Sequence, residues 1–486
     1  MVNILSNFIL TLKLKTQPYQ ADILNKRFNI SRQIYNACLG YLLKQYKEMT
    51  NTDEYKYILT QPKGNKRNKH FQELNNKYGL TEYSLHNYIK PMQHHFKENI
   101  DSFTAQKIAT RCFDAFKKYM FHEAEKVNFK KYGELNSVEG KSNKTGIRFK
   151  DNILYWNGLE IPVIIKKNDI YAQEALRNKI KYCRIKREII KGKHHYYLQL
   201  VLEGVPPLKV NKETGEIKGI TTNGKVGIDI GTQTIAISSN YDVKLLELAP
   251  EVVNIDNEIR RIQRYMDRSK QANNPNKYNQ NGTINKSNKE KWHFSNRYIK
   301  AKYKRLELYR KQREIRKQSH NKLANYLLTL DDKFYVEDMN FKSLQKRAKE
   351  TTVNEKTGKY NKKKRFGKSL ANKAPSMFLT ILDNKLKYQN NQLIKVNTKE
   401  LKASQFNHLN CQYNKKKLSQ RWNDLNGIKV QRDLYSAFLI QHVNNDLKTV
   451  NVELCTKDFN SFLELHNKEI ERLNSYEQKS ALKNVI

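Results

Sequence analysis

The sequence predicts a multidomain α/β and α+β protein, with a sheet-and-helix domain in the C-terminal half preceded by a small β-barrel into which a helical domain is inserted. Three observations lead there. Apolar residues alternate between Phe8 and Lys15; helical spacing takes over from about 21 to 132; short β-rich runs return between about Gly146 and Gly204, and beyond them strands alternate with helices.

In the first strand Leu10, Leu12 and Leu14 share one face while Thr11, Lys13 and Lys15 share the other, and Pro18 ends it. Leu24, Phe28, Ile34, Cys38 and Leu42 then recur at helical spacing. The runs IRF, ILYW, PVIIK, YCRIKREII and YYLQLVLEG, separated by Asn, Gly and Lys turns, predict the barrel strands. Because the Phe8–Lys15 strand has no partner nearby in sequence, it is expected to join them, with the helices as an insertion. A basic linker, NKETGEIKGITTNGK, leads to VGIDIGTQTIAISSN, which reads as strand, turn and strand. Ile255, Ile259, Ile262 and Met266 mark one helix, and a second, densely basic one runs from about Tyr298 to Leu330, with an Asn-rich loop at about Asn273–Asn288 between them. The strand KFYVED, a basic stretch to about Lys368, a helix and the strand LIKVN complete the α/β pattern.

Length and charge narrow the function. At about 100 to 200 residues per domain, 486 residues allow two to four domains, and 38% hydrophobic content supplies their cores. With 29 Tyr and 19 Phe against 9 Pro and 18 Gly, the chain is too aromatic for a disordered basic tail. Its 91 Lys and Arg against 48 Asp and Glu give a formal charge of +43, which a compact fold tolerates best when a polyanion shares it, so nucleic acid is the expected partner. No run approaches the roughly 18 apolar residues of a membrane span, and the N-terminus has no secretory pattern, so a cytoplasmic protein with no membrane partner, nucleoid-associated when on its target, is expected. Cys38, Cys112, Cys183, Cys411 and Cys455 form no CxxC pair and no even-numbered framework, so neither a disulfide scaffold nor a cysteine-rich zinc site is indicated.

Three acids carry the candidate chemistry. Asp229 lies in an apolar strand and is followed by a glycine, Glu337 follows three apolar residues at a strand end, and Asp433 begins an amphipathic helix. Each alone has a structural explanation: a hydrogen-bonded buried Asp, an acid closing a strand, a helix N-terminal acid favoured by the dipole. Asp338 should point away from Glu337. Together, three acids at element ends of one α/β domain can hold two Mg²⁺ ions, since oxygen ligands suit Mg²⁺ and a pair about 3.5 to 4 Å apart serves phosphodiester hydrolysis.

These residues also resemble a known family. GIDIGTQTIA, FYVEDMNFKSL and QRDLYSAFLI resemble, in order and spacing, the three motifs of the RuvC-like nuclease domain of TnpB proteins and the miniature type V CRISPR effectors. GIRFKDNILYW and YYLQLVLEG resemble strands of that family's wedge domain, and FNISRQIYNACLGYLLK resembles its opening. The resemblance implies a wedge β-barrel at 1–20 and 133–215, a helical recognition domain at 21–132, an RNase H-like RuvC domain at 221–400 and 430–456, a zinc-ribbon-like target-binding subdomain at 401–429 and a C-terminal tail at 457–486. It implies Asp229, Glu337 and Asp433 as metal-binding catalytic residues, two Mg²⁺ ions, a guide RNA and a target DNA. The expected function is RNA-guided DNA endonuclease; a nuclease-silent guided repressor and a general nucleic-acid binder are the alternatives. Guide identity, target-adjacent motif, transposon or CRISPR association and oligomeric state are not specified by these motifs.

One departure stands out. Where the family has a zinc ribbon of two CxxC pairs, this chain has Asn407-His-Leu-Asn410 and Asn423-Asp-Leu-Asn426-Gly427, so all four ligand positions are Asn. A neutral amide lacks the thiolate charge that Zn²⁺ prefers, and a zinc-free subdomain is expected, with Tyr413, Leu418 and Trp422 supplying a core; His408 and Cys411 are too few for a substitute site. Arg421 and Arg432 are candidate phosphate clamps, and the helix Lys300–Lys322, with Tyr303 and Tyr309, suits nucleic-acid backbone contacts. The spacing from Gly133 to Gly140-Lys141-Ser142 does not fit a P-loop, and His122-Glu123 lacks the second His of a zinc protease. Elemental analysis of the purified chain should find far less than one zinc per protein; near-stoichiometric zinc would refute the expectation.

Overall fold

A computed structural model describes residues 7–207, 224–355, 357–361, 363, 366–417 and 420–475, so the linker up to Asn223 and Leu418 lie outside the described residues. The chain divides into two compact units, 1–207 and 208–486.

The first unit holds β1 (Asn7–Leu14), α1 (Pro18–Thr50), α2 (Asp53–Thr60), α3 (Asn65–Lys77), α4 (Glu82–Tyr88), α5 (Lys90–His95), α6 (Ser102–Met120), β2 (Ser137–Glu139), β3 (Arg148–Lys150), β4 (Ile153–Trp156), β5 (Leu159–Ile164), α7 (Ile170–Ala175), β6 (Ile180–Ile190) and β7 (Lys193–Glu203). Its seven strands run in the order β2-β6-β7-β1-β5-β4-β3. β1 pairs antiparallel with β7 and β5, so α1 to α6 are an insertion after the first strand. The sheet keeps two edges, β2 and β3, and is a curled half-barrel in place of the expected barrel. Phe8, Leu10, Leu12 and Leu14 are buried along one face of β1, as the period of two requires.

Buried polar contacts tie the inserted helices to this sheet. Arg27 of α1 donates to the carbonyls of Trp156 and Asn157, its guanidinium 4.8 Å from the Trp156 ring centroid. Asp101 caps α6 by accepting from the Thr104 backbone N–H at 2.9 Å and also accepts from Trp156 Nε1 at 3.0 Å. One carboxylate thus fixes both a helix start and a core indole.

The second unit holds β8 (Lys225–Ile230), β9 (Thr234–Ser238), β10 (Val243–Glu247), α8 (Asp256–Ala272), α9 (Asn296–Leu327), β11 (Lys333–Glu337), α10 (Phe341–Leu344), α11 (Gly367–Lys373), α12 (Pro375–Lys387), β12 (Leu393–Val396), α13 (Thr398–Leu401), β13 (Phe406–Asn407), β14 (Gln412–Tyr413), β15 (Trp422–Leu425), β16 (Ile428–Gln431), α14 (Arg432–Gln441) and α15 (Val452–Ser475). Five strands form a mixed sheet in the order β10-β9-β8-β11-β12; β10, β9 and β8 are antiparallel, and β11 is parallel to both β8 and β12. Helices cover both faces. Val226, Ile228, Ile230, Phe334 and Val336 pack with Leu327 of α9 and Phe378 and Leu382 of α12, whereas Ala236, Leu245, Tyr335 and Val396 pack with Tyr435 and Phe438 of α14 and Phe459 and Phe462 of α15.

The expected C-terminal tail from 457 onward is helical through Ser475: α15 buries Cys455, Phe459, Phe462, His466, Glu469 and Leu473 against that second face. Glu469 Oε1 accepts the Leu245 backbone N–H at 2.8 Å, so a buried carboxylate occupies hydrogen-bonding capacity at edge strand β10, and Arg472 donates to the same carboxylate at 2.6 and 2.7 Å.

Gly227 sets the distance between β8 and α14. A Cβ there would stand 2.0 Å from the Ala437 carbonyl oxygen and 2.4 Å from the Gln441 nitrogen, both backbone atoms that cannot rotate away. Gly227→Ala should therefore lower the melting temperature of the second unit by roughly 5 to 10 °C, by overpacking. Gly64→Ala, where a Cβ meets nothing within 4 Å, is the control and should leave melting nearly unchanged in calorimetry.

Candidate active site

The α14-covered face of the mixed sheet gathers the three acids. Val226, Ile228 and Ile230 face the α9/α12 layer, so by alternation Gly227 and Asp229 face α14. In the parallel pairing of β8 with β11, Gly227 lies beside Tyr335 and Ile228 beside Val336, which places Asp229 and Glu337 next in line. Tyr335 belongs to the α14/α15 core, so Glu337, two residues on, shares that face. Asp433 enters from above, in the first turn of α14, brought close because Gly227 offers the helix no side chain.

The start of α14 is fixed from two directions. Gln431 Oε1 accepts the Leu434 backbone N–H at 2.8 Å, and the Gln431 backbone N–H donates to His466 Nε2 of α15 at 3.0 Å. Burial lowers the His466 pKa, favouring the neutral ring that can accept this bond. Neither residue stands out in the sequence: Gln is not a favoured N-cap, and His466 is 35 positions from Gln431.

Electrostatically the acids form one cluster. The Asp229 pKa is raised well above the ordinary carboxylate range, first by burial, then by the charges of Glu337 and Asp433, while Arg432 acts in the opposite sense. Burial raises Glu337 as well. Among the described residues neither carboxylate accepts a hydrogen bond. Asp338, by contrast, is 63% exposed and pairs with Lys395 at 2.8 Å, outside the cluster.

Arg432 and Asp433 are largely covered, at 13% and 17% side-chain exposure, and form an ion pair: Nε and Nη2 of Arg432 lie 3.0 and 2.9 Å from the same Asp433 oxygen, Oδ1. Arg432 Nη1 also donates to the Gln420 carbonyl at 3.0 Å. Arg421 contributes its backbone carbonyl to the Arg432 N–H at 2.8 Å. A cation absent from the sequence-based expectations joins them: Lys416 donates to Asn423 Oδ1 at 2.7 Å, and its pKa is lowered by burial and by Arg432.

Residues 401–429 form two hairpins, β13–β14 and β15–β16. Each Asn has a local use. Asn407 and Asn410 accept the backbone N–H groups of Leu409 and Gln412 at 3.0 and 3.1 Å, as Asx turns do. Asn426 and Gly427, at φ 53° and 89°, form the two-residue turn of the second hairpin, and Asn423 is buried against Lys416. His408 is buried, its Nδ1 2.7 Å from Tyr435 Oη and its ring against Phe459, and burial brings its pKa down to about 4. Cys411 is exposed. Trp422 meets His466 edge-on, whereas Tyr413 is exposed, with Phe406 tilted against it and Lys402 over its ring, and supplies no core.

The oxygen-only donor set of Asp229, Glu337 and Asp433, with mutually raised charge cost, suits a hard divalent cation. Among the described residues, however, no three His, Cys, Asp or Glu side chains are gathered so as to hold a metal ion as they stand. The acids therefore lie close enough to influence one another's charge without forming a closed cage. Also among the described residues, no helix is long and apolar enough to cross a membrane.

No family profile matches the chain, and no curated protein matches its sequence. Among solved structures it is similar to a Cas12f1-sgRNA-target DNA complex, at 10% identity and TM-score 0.41, over 91% of this chain and 99% of that one. It is also similar to a CRISPR-Cas12f ternary complex, at 12% identity and TM-score 0.25, over 88% and 82%.

The cluster makes a stability prediction. A carboxylate whose folded pKa is raised loses stability as pH rises from its unfolded pKa through its folded one, and the penalty persists above that. In EDTA at pH 8, Asp229→Asn should raise the melting temperature by about 2 to 4 °C, and the gain should shrink toward pH 4, where the native carboxyl is already protonated. A lower melting temperature at pH 8 would contradict the strained-cluster reading.

Proposed function

We propose that this protein is an RNA-guided DNA endonuclease whose hydrolytic centre is the crevice of Asp229, Glu337 and Asp433. The observation that carries this reading is the convergence of three acids, two of them without a hydrogen bond among the described residues, on one sheet face of a chain whose net charge is +43. Acids so placed oppose the charge of the partner that the rest of the chain attracts, which is understandable if a cation mediates between them. The strand order supports an RNase H-like core: the first three strands antiparallel, with β11 and β12 added on the other side of β8. Guide RNA and target DNA as partners, and the wedge and recognition roles of the first unit, rest on the motif resemblance.

In this reading Asp229 and Glu337, with Asp433, hold Mg²⁺, which when bound would stabilise charge on the scissile phosphate and lower the pKa of water. Asp229 supplies a carboxylate rigidly seated in β8; Glu337 supplies a second from the neighbouring strand; α14 sets the position of Asp433. Arg432, once released from Asp433, would meet a phosphate, and the basic helices α8 and α9 would offer Arg261, Arg264 and Lys300 to a sugar-phosphate backbone.

The engagement of Asp433 by Arg432 favours one second reading, a guided DNA binder without cleavage. A single experiment separates them. The protein is purified with the RNA expressed from its native flanking DNA and given matched duplex DNA and Mg²⁺. Cleavage is expected, and Asp229→Ala should reduce it at least about 1,000-fold while leaving RNA affinity within about twofold, since a metal ligand and no cation is removed. Matched-site binding without cutting by the unaltered protein would establish the second reading, and binding indifferent to RNA sequence would exclude both.

A further inference from the structure

Resting on the metal-dependent reading above, we infer that Arg432 is an internal counter-ion of the acid crevice, which competes with the divalent cation for Asp433 and must yield that carboxylate before the site can close. The geometry is specific. Two nitrogens of the guanidinium converge on one oxygen, Oδ1, of Asp433, and the third donates to the Gln420 carbonyl, so the group is anchored at the cluster's rim and not merely adjacent to it. Both side chains are largely buried, where an ion pair of this kind is screened little. Lys416 stands behind it, held on Asn423, and adds a second positive charge opposed to an incoming cation.

Among the described residues no closed ligand cage is present, and one of the three acids is committed to the guanidinium. Asp433 is then shared between two states. In one, Arg432 neutralises it and the crevice is open; in the other, a cation takes the carboxylate and the guanidinium is released beside it, within reach of the phosphate that the cation also attracts. Arg432 is in this sense a positioning residue that sets the affinity of the site for its ion.

The test measures Mn²⁺ binding to the full chain by electron paramagnetic resonance of free Mn²⁺, in the absence of nucleic acid, for the unaltered protein and for Arg432→Gln, Arg432→Met, Arg432→Lys and Asp229→Asn. Removing the charge should tighten Mn²⁺ binding roughly tenfold in both uncharged variants, the order expected when one like charge leaves a partly buried cation site. Arg432→Lys, which keeps the charge, should stay within about threefold of the unaltered protein. Two uncharged replacements are used so that a fold-specific failure of one does not decide the matter, and melting curves identify such a failure. If Asp229→Asn abolishes saturable binding but the uncharged Arg432 variants bind Mn²⁺ no more tightly than the unaltered protein, the counter-ion role is wrong and the metal site stands. If neither the unaltered protein nor the Arg432 variants bind Mn²⁺ in a manner that depends on Asp229, the metal reading itself fails.

Discussion

The second unit depends on the close approach of α14 to β8 at Gly227. A helix normally rests on a sheet through two layers of side chains, and here one layer is missing: the backbone of Ala437 and Gln441 lies directly over a strand position with no Cβ. That contact lowers the helix onto the sheet and carries its first turn, with Asp433, toward Asp229 two residues further along the same strand face. The far end of the contact is sealed by hydrogen bonds, with Ser238 Oγ donating to Gln441 Oε1 at 2.7 Å and Gln441 Nε2 donating to Asn240 at 2.7 Å. α15 then covers the outer side of α14, and its His466 receives the N–H that precedes the helix. The position of the acids is thus the product of one glycine and a helix locked at both ends.

The charge pattern follows from this arrangement. A protein carrying +43 could neutralise an acid cluster many times over, yet among the described residues Arg432 is the cation that acts on the cluster, with Lys416 behind it. Two acids elsewhere are committed to cations, the buried Glu469 to Arg472 and Lys244 and the half-buried Glu139 to Arg184 and Lys107. Asp229 and Glu337 differ because their position on adjacent parallel strands forces like charges together in a low-dielectric setting, a cost that selection tolerates chiefly where a ligand relieves it.

Much of this was legible in the sequence, for definable reasons. The alternation of Leu10, Leu12 and Leu14 and the apolar runs around Asp229 and Glu337 are local patterns, and local patterns specify strands. The pairing of β1 with β7, nearly the whole first unit away in sequence, could be anticipated only because a lone strand needs partners. What escaped notice depends on contacts between distant segments. The helix from Val452 to Ser475 was hidden by its weak overall hydropathy, although Phe459, Phe462 and His466 lie on one side of it; the roles of Gln431, Lys416 and Glu469 required knowing which segment each would face. The open half-barrel differs from the expected barrel because closure is decided by whether edge strands meet, and β2 and β3 are three residues each.

The two hairpins at 401–429 show how a small subdomain can be organised by backbone geometry and packing. The four Asn of these hairpins are not equivalent. Asn407 and Asn410 close loops through their own backbone neighbours; Asn426 accepts a left-handed conformation beside Gly427; Asn423 is the one that turns inward, to Lys416. His408 is drawn the other way, into the aromatic core of α14 and α15, where Tyr435 engages both its backbone N–H and its ring nitrogen. The first hairpin is therefore anchored to the same helix that carries Asp433, and the second runs directly into that helix through Gln431. Both hairpins are thus joined to the helix that carries Asp433, the first through His408 and Tyr435 and the second through the chain itself.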